Sequence, residues 1–235
     1  MSNFYTTEFD ELFKSDIFHL SNYPEMLPFV GINWMQSKKI LLIGESHWLP
    51  YDEIKTYSGL DYFTNWYDFN SKGLNENHKN YITTRNNLVT VEFGKHERPL
   101  TLYFNLKKAL LEVSHFSNSK LIFDKFSFYN YFQKPAFVQQ IKKEDRSIKP
   151  TTDDKKIAFD TFEKIINIIK PESIIFISKK AFDSFNEVKL KRNISFEMKI
   201  DFVPHAGRQW WNKNSKSYGN RTGKQKFIDI IKLSY

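Results

Sequence analysis

The sequence predicts an α/β fold, a three-layer α/β/α sandwich around a mostly parallel four-stranded sheet. Two patterns carry this reading. Short apolar runs alternate with helical periodicity along most of the chain, and connections of that kind join parallel strands covered on both faces. Three of the runs also give way to polar residues where their strands should end, which is where such sheets bind ligands.

The first strand is Lys39 to Gly44, within "KKILLIGESHWLP". It runs straight into Glu45, Ser46, His47 and Trp48. Residues 1–36 form a polar and aromatic N-terminal extension. Residues 48–97, rich in Tyr, Asn and Lys with little periodicity, read as a long variable insertion of loops and short helices. From Pro99 the pattern turns helical, with Leu102, Leu106, Ala109, Leu110 and Val113 three and four residues apart.

"DKFSFYNYF", Asp124 to Phe132, alternates as a strand and is expected to end before Pro135. A helix over about Asp154 to Lys170 places Ala158, Phe162, Ile165, Ile166 and Ile169 on one face, and Pro171 stops it. "SIIFIS" is a short buried strand, "KKAFDSF" opens a helix, and "FEMKIDFVPH" is a strand running into His205. Gly223 to Leu233 closes the chain as an amphipathic helix, and the Lys-rich stretch from Lys142 to Lys156 reads as a solvated loop.

At 235 residues, 40% of them hydrophobic and 23 of them Phe, the chain has the material for one sizeable domain. It contains no cysteine, which excludes disulfides, thiolate zinc sites and cysteine-ligated clusters. The first residues carry acids and no uninterrupted apolar core, and no run approaches the length of a membrane span, so a cytoplasmic location is expected. Lys plus Arg is 35 against 27 Asp plus Glu, a formal charge of +8, which suits a polyanionic partner.

Gly44-Glu45-Ser46-His47, Tyr129-Asn130-Tyr131 and Pro204-His205-Ala206-Gly207 thus stand at three strand ends. A carboxylate there orients or deprotonates a water, a carboxamide pairs with a base edge, and an imidazole donates to an oxygen gaining negative charge. Taken singly, each has a plainer reading. Glu45 is a helix cap, Asn130 a buried hydrogen-bonding group, His47 and His205 structural histidines, and Trp210 and Trp211 core aromatics.

The ordered set resembles the uracil-DNA glycosylase superfamily, over about Lys38 to Gly223. Gly44-Glu45-Ser46-His47-Trp48 stands where members carry GQDPY or GEAPG after the first core strand. "PLTLYFNLKKALLE", with Asn105 and Leu106, is similar to the family's Pro-x-x-x-x-Asn-Leu helix. "FSFYNYFQKP" holds Asn130 at the place of the base-reading Asn. "IIKPESIIFISKKAFDSF" looks like the family's next strand and helix, and His205-Ala206-Gly207 falls at His-Pro-Ser.

The resemblance implies a base-flipping enzyme that hydrolyses the N-glycosidic bond of uracil or another modified base in DNA, acting as a monomer without cofactor or metal. Glu45 would handle the water and His205 would donate to the departing base. Gly44, Ser46, His47, Trp48 and Asn130 would surround that base, with Tyr57 or Phe63 stacking on it. Arg208, Gln209, Trp210 and Trp211 would enter the duplex at the vacated position. The sequence departs from the pattern at His47, Ala206 and Gly207, and Ser46 stands where GQDPY has its acid. Lack of cysteine excludes the iron–sulfur branches.

Two other readings stand beside it. "LLIGESH" also looks like the Gly-Glu-x-His start of erythromycin-esterase-like and related haem- or metal-binding proteins, which would centre on Glu45 and His47. A non-catalytic nucleic-acid-binding module of the same fold is the other.

Overall fold

The computed structural model describes residues 4–49, 65–94, 100–137 and 147–235. Tyr57, Phe63, Pro99 and the first part of the Lys-rich stretch lie outside them. The strands are β1 (Phe29–Val30), β2 (Ile40–Leu49), β3 (Phe126–Phe137), β4 (Ser173–Phe176) and β5 (Lys199–Phe202), in the spatial order β1-β3-β2-β4-β5. The pairs β3·β2, β2·β4 and β4·β5 are parallel, and β1 is antiparallel to β3.

The described helices are α1 (Asp10–Asp16), α2 (Phe18–Asn22), α3 (Glu76–Ile82), α4 (Thr84–Glu92), α5 (Thr101–Leu111), α6 (Thr152–Ile169), α7 (Lys179–Lys191) and α8 (Gly223–Ser234). No helix among the described residues is long and apolar enough to cross a membrane.

The two faces of the sheet build two cores, because side chains alternate along each strand. Leu41, Ile43, Tyr129, Tyr131, Ile174 and Phe176 pack with residues of α1, α2, α3, α6 and α7. On the other face Ile40, Leu42, Phe126, Phe128 and Ile175 meet α4, α5 and α8. Much of the phenylalanine goes to the first core, where Phe162 and Phe185 have ring centroids 4.8 Å apart and Phe176 and Phe185 5.1 Å.

The sheet has five strands, not four, and the extra one comes from residues 1–36. That segment is part of the fold. Phe13, Tyr23, Phe29, Val30 and Trp34 are fully buried, and the Trp34 indole donates to the Ile169 carbonyl at the end of α6 over 3.2 Å. Arg85 of α4 forks onto the Asp10 carboxylate and also donates to the Pro28 carbonyl. Gly31 fits because the Asp124 carbonyl carbon and oxygen lie within 2.4 Å of where a Cβ would stand, so no larger residue lets β1 reach β3.

Two strands outrun their expected ends. β2 continues through Glu45 to Leu49, paired with a β3 that runs through Pro135 to Phe137. Proline is tolerated there because the register shifts: Ser46 faces Phe132 while Trp48 faces Ala136, a bulge on β3. Gln133 fills that bulge by donating to the carbonyls of Asn130 and Tyr131 while its oxygen meets His19 Nε2 at 3.1 Å.

β5 is shorter than the expected strand over residues 196–205. The end of the Lys-rich stretch is helical, because Thr151 and Asp154 form a reciprocal capping box that starts α6 at Thr152. At its other end Lys170 takes the left-handed conformation, φ 48°, before Pro171.

Burial leaves two histidines neutral. It pushes His19 down to about 4 and His47 down to about 3. The unfolded chain takes up protons on these groups below about pH 6.5 while the folded one does not, so stability is full above that pH and falls as the pH drops toward 4 and 3. Between pH 7.5 and 5.5 each histidine should lower unfolding free energy by about 1.4 kcal/mol. Urea unfolding at the two pH values should show a smaller acid loss in His47→Gln than in the native chain; equal losses would refute the assignment.

Candidate active site

β4 makes its last hydrogen bond to β2 where the Ile177 amide donates to the Ile43 carbonyl at 2.7 Å. From Gly44 onward β2 stands above its neighbour, and among the described strands it pairs there with β3 alone. Glu45 is therefore half-exposed beyond the carboxyl end of β4, inside a strand and not in a turn.

Its carboxylate is held from two sides. Ser178, the N-cap of α7, accepts from the Ala181 amide through Oγ, and its hydroxyl hydrogen then goes to Glu45 Oε2 at 2.7 Å. Ser147 Oγ accepts from Lys180 Nζ and donates to Glu45 Oε1. Each hydroxyl has one hydrogen, and in both cases another donor already occupies its oxygen. The carboxylate is thus the acceptor both must serve, and it sits at the positive end of α7.

His205 follows β5 in a loop that folds on its own ring. The Gly207 amide donates to His205 Nδ1 at 3.0 Å, so the neutral imidazole carries its hydrogen on Nε2. A Cβ on residue 207 would lie 3.1 Å from the imidazole Cε1, tighter than side chains usually pack. Burial pushes the imidazole below its ordinary value, the Glu45 carboxylate opposes that, and Arg208 adds to it. Asn105 of α5 donates to the Ala206 carbonyl at 2.6 Å and ties the loop to the helix.

Asn130 lies across Gly44, its register partner. A Cβ on residue 44 would stand 2.2 Å from Asn130 Oδ1 and 2.8 Å from the Phe128 ring, so only glycine lets the carboxamide lie there. The carboxamide is 6% exposed and a hydrogen-bonding neighbour of Tyr103, whose hydroxyl burial pushes up to about 12 against the opposing effect of Asn87 and Asn130. Strand alternation sends Asn130 and Glu45 to opposite faces of the sheet. His205 stands near Glu45, whose charge acts on its ring, and its loop hangs on α5 through Asn105.

The remaining expected residues divide. Ser46 is half-exposed on the Asn130 side, and Trp48 is 37% exposed with its ring edge-on to Tyr81 at 5.5 Å. His47 is buried: it is 4% exposed, with Nε2 engaged by the Thr84 hydroxyl at 3.2 Å, and so ties β2 to the start of α4 within the insertion.

Trp211 is a correction. It is 1% exposed and packs on Phe227 at 5.7 Å, so it belongs to the core and not to a surface that enters DNA. Arg208, Gln209 and Trp210 are exposed, Trp210 to 43%.

The sequence does not single out Ser147, Ser178, Lys180 or Tyr103. Only Ser178 left a signal, as a serine at a strand-to-helix junction, the N-cap position. Among the described residues no three His, Asp or Glu side chains are grouped as a metal site.

Two measurements probe this geometry. In Glu45→Gln the His205 ring should titrate at lower pH than in the native chain, read by NMR of the imidazole Cε1 proton; an unchanged midpoint would separate the two groups. Gly44→Ala should cost about 1–3 kcal/mol in urea unfolding through displacement of Asn130 and Phe128, and a neutral result would refute the close approach.

No protein-family model matches the chain, and no curated protein matches it.

Proposed function

We propose that the protein is a hydrolase of the uracil-DNA glycosylase type, acting on the N-glycosidic bond of a modified base in nucleic acid. The observation that carries this reading is the Glu45 carboxylate clamped by Ser147 and Ser178 beside a His205 whose Nε2 is the donor. The arrangement of α-helices on both faces of a mostly parallel sheet is the architecture that such an enzyme would need.

Contacts between the motif segments add support. The first touches the base-reading strand at Gly44 and Asn130 and the fourth at Glu45 and Ser178, while the helix motif holds the last through Asn105 and Ala206.

In this mechanism each oxygen of Glu45 accepts one serine hydroxyl and keeps a lone pair for a water. Glu45 orients that water toward the sugar carbon and takes its proton as the new C–O bond forms. The N-glycosidic bond breaks, its electron pair leaves with the base, and the His205 Nε2–H donates to the base oxygen on which charge collects. A neutral imidazole suits this step because it stabilises an anion without surrendering the proton. Asn130 positions Gly44, and reads the base only from the Tyr103 side of the sheet.

The motif departures at Ser46 and His47 do not touch these two roles, since His47 is buried against Thr84 and Glu45 supplies the acid.

The test is base release from single- and double-stranded oligonucleotides carrying uracil, hypoxanthine or xanthine, scored as alkali-labile sites. Glu45→Gln and His205→Ala should each lower single-turnover release by about 10²–10³-fold with strand binding intact. Steep salt-dependent binding with no base released from any substrate would leave the non-catalytic nucleic-acid module in its place. Salt-insensitive binding and no release would refute both.

A further inference from the structure

The loop that leaves His205 opens the longest stretch of the chain without an acid. Residues 202–228 contain no Asp or Glu, and Asp201 and Asp229 close the stretch at its two ends. Its cations are Arg208, Lys213, Lys216, Arg221, Lys224 and Lys226. Some are matched from outside: Arg221 pairs with Asp229 at 2.7 Å, Lys226 with Asp201 at 2.7 Å, and Lys224 with Glu112 at 2.5 Å. Lys213 and Lys216 are exposed and pair with no acid among the described residues. Lysines in the last turns of α7 and α8, such as Lys191 and Lys232, answer the helix dipole, but Lys213 and Lys216 lie on no α-helix.

The loop is tied down at several points. Trp211 packs in the core on Phe227, and Tyr218, 8% exposed, sets its ring edge-on to Phe202 at 6.1 Å. A Cβ on residue 223 would stand 2.2 Å from the Pro204 ring, so only glycine brings the end of the loop against its beginning. Between these anchors Ser215 and Arg221 bridge as an antiparallel pair, and Gly219 and Asn220 turn the chain at φ 68° and 58°. The exposed residues 212–214, 216–217 and 219–221 are thus placed before any partner arrives, which lowers the entropy cost of binding. The loop also frames the candidate site. It starts at His205, whose ring feels Arg208, and Tyr218 feels Lys179 and Asp183 near the start of α7, whose cap holds Glu45.

We propose that residues 212–221 are a platform for the phosphodiester backbone of nucleic acid, with Lys213 and Lys216 each meeting a phosphate. Asn212, Asn214, Ser217 and Asn220, exposed around them, donate to neighbouring phosphate and sugar oxygens. Such contacts carry no sequence information; they fix where the strand lies relative to Glu45 and His205. The platform acts apart from Trp210, whose ring carries no charge. It rests on the nucleic-acid reading above for its polymer, but its test reads binding to unmodified nucleic acid and not base release, so the failure of either is visible without the other.

Fluorescence anisotropy of a labelled unmodified DNA duplex, and of one of its strands, titrated with the full chain over a range of salt, tests it. Lys213→Ala with Lys216→Ala should weaken binding about tenfold or more at low salt. The slope of log K against log salt should fall by about 1.8 on the duplex and about 1.4 on the strand, as two lost phosphate contacts require. Unchanged affinity and slope in this pair, or no binding by the native chain, would overturn the platform. Lys213→Arg with Lys216→Arg keeps the charge and should stay within about threefold of the native chain. A loss there as large as in the alanine pair would trace the effect to a disturbed loop and overturn the phosphate contacts.

Lys38→Ala with Lys232→Ala removes the same charge at the opposite end of the strands and should change affinity by less than about threefold. Equal losses in the two alanine pairs would reduce the effect to net charge and overturn the platform. Trp210→Ala should leave the salt slope unchanged, because stacking releases no counterions; a slope lowered as in the lysine pair would move the contacts away from the lysines. Displacement of the duplex by polyglutamate at equal charge concentration would overturn the phosphodiester assignment in favour of an acidic polypeptide.

Discussion

The parting of β4 from β2 at Ile43 is the constraint on which the rest depends. In a parallel sheet a strand that outruns its neighbour exposes the backbone edge it no longer shares, and here β2 outruns β4 by six residues while β3 follows it to Leu49. The step this leaves is where α7 begins, so the helix cap and the exposed carboxylate of Glu45 meet without either moving from its regular geometry. If β2 ended at Gly44, Glu45 would be a loop residue free to turn to solvent. Held in the strand, its side chain has one direction, and Ser178 stands in it.

The site is then assembled from hydrogens that have only one place to go. Ser178 and Ser147 each accept from another donor and each has a single hydrogen left, which fixes the carboxylate more firmly than two free serines would. His205 is fixed by the same logic from the other side, because the Gly207 amide takes Nδ1 and leaves Nε2 to donate. Such constraints lower the reorganisation needed as charge develops, which is what electrostatic catalysis draws on. They also couple the site to its surroundings, since Lys180 reaches Glu45 through Ser147 and α5 reaches His205 through Asn105 and Ala206.

Much of the frame was legible in the chain. Apolar runs at Ile40, Phe126 and Ser173, and periodic faces at Leu106, Phe162 and Phe227, gave the strands and helices because burial on both faces imposes those patterns. Pro171 marked a helix end because proline has no amide hydrogen to give, whereas the start at Thr152 went unread, its Thr151–Asp154 box lying inside the Lys-rich stretch that looks like a loop. Less legible were features set by neighbours. β1 is two residues long and carries no periodicity, and its strand exists because Gly31 lets it approach β3. Pro135 normally stops a strand, and it sits inside one here because the bulge at Gln133 takes up the lost hydrogen bond.

The sequence by itself determined that a carboxylate, a carboxamide and an imidazole would adjoin apolar core runs, because residue type and local pattern are properties of the chain. Only the tertiary structure decided what each faces. Register and pleat sent Glu45 toward α7 and Asn130 toward Tyr103, and packing buried His47 and Trp211, which the chain alone presents as equal to Trp48 and Trp210. Ser147 reaches Glu45 from 102 residues away and Ser178 from 133, and no periodicity records a contact made across such a separation.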